Sequence, residues 1–174
     1  MKYLFGLGVI LIIIALIIPT HTSIVETTEF FSKETKTALY YQTFSGYEDI
    51  DWYYPKGSAS MYYSLWGQAF GEWEDKEIPL IIWLQGGPGA PSQFGCFNEI
   101  GPIYLEGKKG NFMPNENVWA WNYFGHILCI DQPLGVGFSF NNNTQKINNT
   151  NDAASQLVNF LSNFFAHNPK LSLK

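Results

Sequence analysis

Charge is scarce in this chain. Only 14% of its 174 residues are charged and the formal net charge is -5, so there is no basic stripe of the kind that releases counterions from a phosphate backbone. Nucleic acid is therefore not an expected partner. Cysteine is rarer still: with only Cys96 and Cys129, the chain is not a miniature built on disulfides. Cys129 lies inside the apolar run "HILCI" and reads as a small buried residue, while a bridge to Cys96 in an oxidising compartment stays open. Repeats and low-complexity tracts are also missing, apart from the Asn-rich stretch "NNNTQKINNTND".

The glycine-rich turn "WLQGGPGAPS", Trp83 to Ser92, lacks the features of a phosphate loop. No Gly-Lys-Ser/Thr follows it, and no third glycine completes a Gly-x-Gly-x-x-Gly after Gly87 and Gly89. Metal ligation has no better support, because His126 and His167 stand far apart and no Cys/His pair has ligand spacing. His126 reads as the opening residue of a strand and His167 as a charge favouring a helix C-terminus. No cofactor and no metal are expected.

Apolar residues are plentiful. A hydrophobic fraction of 46% and an aromatic fraction of 17% suffice for the core of one ordinary domain and are too high for a disordered chain. The segment 1–22 carries Lys2, then an uncharged run from Tyr3 to Ile18, then Pro19 and small polar residues. That is the layout of a secretory signal peptide cleaved near Thr22, with an uncleaved anchor helix as the alternative and the only route to a membrane. Two sequons, at Asn142 and Asn148, fall in the Asn-rich stretch and mark it as an exposed, glycosylated loop. A secreted or lysosomal/vacuolar location follows.

Residues 23–37 form a polar segment that precedes the domain of 38–174. "ALYYQTFSGYEDI" and "ASMYYSLWGQAF" are aromatic, roughly alternating runs joined through Pro55, Gly57 and Ser58, the pattern of an antiparallel strand pair. "IPLIIWL" and "GHILCIDQP" are continuous apolar runs that suit strands covered on both faces. The segment near the C-terminus reads as a helix capped by Thr150 or Asn151, with Asp152 in its first turn. Its apolar face is formed by Leu157, Val158, Leu161, Phe164 and Phe165, and Pro169 lies just past its end. The expected class is α/β: an antiparallel N-terminal pair leading into a mostly parallel sheet.

A bare turn directly after a buried-type strand has a known chemical use, since α/β-hydrolases take one oxyanion-hole N–H from such a loop. "IIWLQGGPGAPSQFGCFNEIGP" followed by "NVWAWNYFGHILCIDQPLGVGFSF" resembles the serine carboxypeptidase family. That family carries W-L-N/Q-G-G-P-G, then Phe-x-Glu-x-Gly-Pro, then Asp-Gln-Pro-x-Gly-x-Gly-Phe-Ser. The match is collinear from about Phe44 to Pro169.

The resemblance implies the N-terminal portion of an α/β-hydrolase fold and a peptide substrate. It assigns Gly87 to the oxyanion hole, and Gln85, Gly86 and Glu99 to the patch that binds the substrate's terminal carboxylate. Glu99 is expected to be buried beside a second acid, with a raised pKa that lets it share a proton. Gln85 stands where the family more often has Asn, as in the vitellogenic-like members, and Ala90-Pro91 replaces a frequent Cys-Ser. No Gly-x-Ser-x-Gly occurs in the 174 residues. The resemblance therefore places the Ser/Asp/His triad beyond Lys174, and the expectation is a carboxypeptidase segment with no catalytic residue of its own, inactive by itself. The alternative is a non-catalytic secreted module that binds carbohydrate or a protein partner through its aromatics.

Overall fold

The computed structural model describes residues 26–31, 38–72, 75–108, 111–143 and 147–172. The apolar leader therefore lies outside the described residues, as does Lys174, after which the resemblance places the triad. Among the described residues no helix is long and apolar enough to cross a membrane.

The two aromatic runs form the expected pair. β2 (Ala38–Asp49) and β3 (Ala59–Trp66) are antiparallel, with Tyr47 opposite Tyr62 and Ser45 opposite Ser64. β1 (Glu26–Phe31) adds antiparallel to β2, within the polar stretch 23–37 where the sequence pattern marks no element. β4 (Leu80–Trp83) and β7 (His126–Ile130) are the two apolar runs, and they pair parallel with Trp83 beside Cys129. The order β1-β2-β3-β7-β4, with β8 (Phe140–Asn141) on β3, makes one mixed sheet. α1 (Ser92–Asn98) and a hairpin of β5 (Ile103–Lys108) and β6 (Asn111–Glu116) lie on the crossover from β4 to β7. α2 (Thr150–His167) follows β8.

β7 is buried along its whole length, as a strand between two others should be. β4 corrects the reading of a strand covered on both faces: it is the terminal strand of the sheet among the described residues, and Ile82 is 39% exposed. Apolar composition reports a strand that needs cover, but the neighbour that supplies it is a tertiary matter.

α2 packs on the sheet through Phe160 and Phe164, both fully buried. Tyr63 of β3 meets their rings edge-on at 5.8 and 5.1 Å, and each buried ring is worth roughly 1.5–3 kcal/mol. Leu157, Leu161 and Phe165 border this cluster, whereas Val158 is 55% exposed. The apolar face is thus rotated from the predicted one and centred on Phe160. The cap also differs: Asn149, not Thr150 or Asn151, accepts the Asp152 N–H at 2.9 Å. Asn149 also bonds Asp152 Oδ2 at 2.6 Å through Nδ2. At the other end His167 Nδ1 lies 2.9 Å from Glu48 Oε2, so it faces a buried carboxylate of β2 rather than merely the helix terminus.

Cys96 of α1 and Cys129 of β7 are joined, with Cα atoms 6.6 Å apart. His126 opens β7 fully buried, its Nδ1 accepting the Gln68 N–H at 3.0 Å.

Candidate active site

β4 and β7 run parallel, so the loops that leave their C-terminal ends, 84–91 and 131–139, emerge side by side. In open α/β sheets that is where ligands bind. The first loop is the glycine turn. Gly87 has φ +137° and Gly89 φ +98°, a region that side chains rarely enter, and a Cβ on Gly87 would press on the backbone nitrogens of Gly89 and Ala90. The turn folds back on itself through Ala90 N–H to the Gly86 carbonyl at 3.4 Å. Gly86 and Gly87 are exposed, and among the described residues no hydrogen bond takes up either of their N–H groups.

Gln85 stands at the base of this turn. Its backbone N–H donates to Ser92 Oγ at 3.0 Å, and its side-chain carbonyl accepts the Trp83 indole N–H at 2.8 Å. An indole nitrogen only donates. The Gln85 carbonyl is therefore fixed toward Trp83, and its NH2 turns to Glu99 Oε1 at 3.1 Å. Gly95 makes this possible, since a Cβ there would collide with both Gln85 Oε1 and Trp83 Nε1. Glu99 caps the C-terminus of α1, its backbone N–H donating to the Gly95 carbonyl at 2.8 Å. The resemblance implied a buried Glu99 beside another acid. In the structure it is exposed and its partner is the Gln85 amide, because α1 ends at the surface.

Asp131, directly after β7, is fully buried. Its Oδ1 accepts the Gln93 N–H of α1 at 3.1 Å and its Oδ2 the Phe138 N–H of the second loop at 3.1 Å. Burial pushes its carboxyl up, against the downward pull of the Phe138, Gln93 and Ser92 N–H groups. Tyr62, across from it on β3, is pushed up to about 12, first by burial and also by the charge of Asp131. Gly137 has φ +55°, and a Cβ on it would strike the Asp131 carboxylate and Pro91. The two glycine loops therefore touch.

The structure thus brings Gln85, Gly86, Gly87 and Glu99 to one place. Asn142 and Asn148 lie apart from it on the surface, Asn142 following β8 and Asn148 just before α2. Sequence reading gave no role to Trp83, Ser92, Gly95 or Asp131. A carboxylate closing an apolar run was the available signal for Asp131, and an indole two residues before Gln85 was the signal for Trp83.

The model of the serine carboxypeptidases matches residues 34–174. The chain belongs to the serine carboxypeptidase family. Relatives within this family include the pheromone-processing carboxypeptidase KEX1 of Candida glabrata, 38% identical over 55% of this chain and 13% of that protein. The vitellogenic carboxypeptidase of Aedes aegypti is 35% identical over 55% of this chain and 20% of its own length. The crystal structure of Kex1Δp, a prohormone-processing carboxypeptidase from Saccharomyces cerevisiae, superposes with a TM-score of 0.61 at 27% identity, covering 75% of this chain and 29% of that one. The chain thus spans a quarter or less of the length of the curated serine carboxypeptidases named here, and under a third of the solved one.

Proposed function

We propose that this chain forms the oxyanion-loop and carboxylate-binding side of a serine-type carboxypeptidase, which removes C-terminal residues from peptides. One observation carries the reading: at the C-terminal end of β4, parallel to β7, the oriented Gln85 amide reaches Glu99 and is followed directly by the exposed Gly86 and Gly87, whose N–H groups are taken up by no described residue. In this reading Gly87 donates to the developing alkoxide, where preorganised donors count most. Gln85 Nε2 and the Gly86 N–H take the substrate's terminal carboxylate.

The serine nucleophile and its acid–base partners are not marked by any motif within the 174 residues. The chain alone is therefore expected to bind weakly and not to cleave. Passage through the secretory pathway is part of the proposal, supported by the Cys96–Cys129 bridge and by two exposed sequon asparagines, Asn142 and Asn148.

The test compares a polypeptide that continues this chain through a Gly-x-Ser-x-Gly segment with the 174 residues alone, on one peptide bearing either a free or an amidated C-terminus. Release of the last residue only by the longer protein, and only from the free acid, is expected. Equal cleavage of the amidated peptide would remove the carboxylate-binding role, and cleavage by the 174 residues would remove the inactive-segment reading.

A further inference from the structure

We propose that Asp131 is the positioning residue of this site: its buried carboxylate holds the two glycine loops in register, through Gln93 on one side and Phe138 on the other. This rests on the carboxypeptidase reading above for its catalytic consequence, though not for its geometry. Asp131 is fully buried, so it touches no substrate and acts only through what it holds.

The hold is continuous. Gln93 at the start of α1 donates its N–H to Asp131 Oδ1 at 3.1 Å. Ser92 Oγ in turn accepts the Gln85 N–H at 3.0 Å. The turn bearing Gly86 and Gly87 thus closes on Ser92, whose chain neighbour Gln93 is held by the carboxylate. On the opposite side Oδ2 accepts the Phe138 N–H. Gly137 is pressed between that carboxylate and Pro91 with no room for a side chain.

The root of Asp131 is fixed as firmly as its tip. Its N–H donates to the Tyr62 carbonyl at 3.0 Å, and its carbonyl accepts the Ser139 hydroxyl, whose oxygen accepts the Tyr62 N–H at 2.8 Å. The position is therefore set by β3, an interior strand of the sheet, and passed outward to two loops. Gln93 adds a second tie to the same strand, its Oε1 accepting the Ser64 hydroxyl at 2.8 Å.

The chemistry explains why the residue is a carboxylate. Backbone N–H donors approach both of its oxygens, and only an acid presents an acceptor on each side. An asparagine there satisfies one loop and turns its NH2 against the N–H of the other. Bonds from backbone N–H to a charged acceptor are also the stronger kind.

The experiment uses the complete enzyme that carries this segment, with Asp131→Asn and Ser92→Ala. Misplacing reacting groups by about 1 Å costs on the order of a hundredfold in rate. D131N is expected to lower kcat ten- to a hundredfold with KM within about threefold, and S92A to move kcat the same way by less. In parallel, amide hydrogen exchange is expected to quicken in residues 85–93 and 135–138 and to stay unchanged in β3. A folded D131N enzyme that keeps kcat within twofold overturns the proposal, as does exchange that quickens evenly across the sheet. If D131N does not fold, S92A decides, and unchanged kcat with unchanged exchange in 85–93 overturns it. If the wild-type enzyme shows no carboxypeptidase activity, the functional reading fails while the exchange pattern still decides the role of Asp131.

Discussion

Trp83 and Gln85 point to the same side of the strand end, and the indole N–H of the first donates to the side-chain carbonyl of the second at 2.8 Å. The tryptophan thereby decides which end of the amide faces Glu99. Trp83→Phe keeps the ring and removes the donor, leaving the amide free to flip. A hydrogen bond of this kind is worth about 1 kcal/mol net. In the complete enzyme KM for a free-acid peptide should rise roughly fivefold, with kcat little changed. Steady-state kinetics on one peptide checks this.

The Cys96–Cys129 bridge closes a long stretch of chain, with a sequence separation of 33. Loop-closure entropy for that length corresponds to about 3–4 kcal/mol. Changing both cysteines to serine should lower the unfolding free energy by that order. Denaturant titration of the oxidised protein, the reduced protein and the double variant is the measurement, and the last two should coincide.

Asp51 and Asp131 should respond to acid with opposite signs. Side-chain bonds from Asn163 and Asn159 hold the Asp51 carboxyl below its ordinary value. Its contribution is therefore present above that value and is lost as the pH falls through the lowered one. Burial holds Asp131 above its ordinary value, so its contribution is full at low pH and is lost as the pH rises. Unfolding free energy followed from about pH 5 down to about pH 2 should fall less steeply in Asp51→Asn than in the wild type.

β4 offers an open strand edge with Ile82 39% exposed among the described residues. Unpaired apolar edges template association between chains. The 174-residue chain should therefore self-associate, and Ile82→Lys should reduce this. Light scattering against protein concentration measures it, and a monomeric wild type with cooperative unfolding would count against the edge as the cause.

Much of the architecture was legible because its signals are local. The aromatic runs of β2 and β3, the apolar runs of β4 and β7 and the 3.6-residue spacing in α2 are each carried by neighbouring residues, although β3 is buried along its whole length rather than on alternate residues. The glycine turn was legible for the same reason: close backbone packing leaves few residue types possible.

What escaped depends on partners distant in sequence. The β5–β6 hairpin has no clean alternation and carries Gly107 and Pro114 inside its strands, so pattern reading sees only irregular chain. Phe160, not Val158, is the inward residue of α2 because β3 lies beneath it. Asp131 looked like only the first letter of the Asp-Gln-Pro motif, since its bonds to Gln93 and Phe138 form only once two loops fold together. Exposure of Glu99 likewise follows from where α1 stops.

The β5–β6 hairpin hangs from a sealed ring. The disulfide shuts the chain on either side of it, and Asn117 Nδ2 ties its stem by bonding the Glu99 and Gly101 carbonyls at 3.1 and 2.9 Å. Both ties hold the chain between the hairpin and the glycine turn, so a change of length in the hairpin is expected to leave that turn in place. The lobe is thus a natural place for a change of loop length, or for an engineer to graft a new recognition loop.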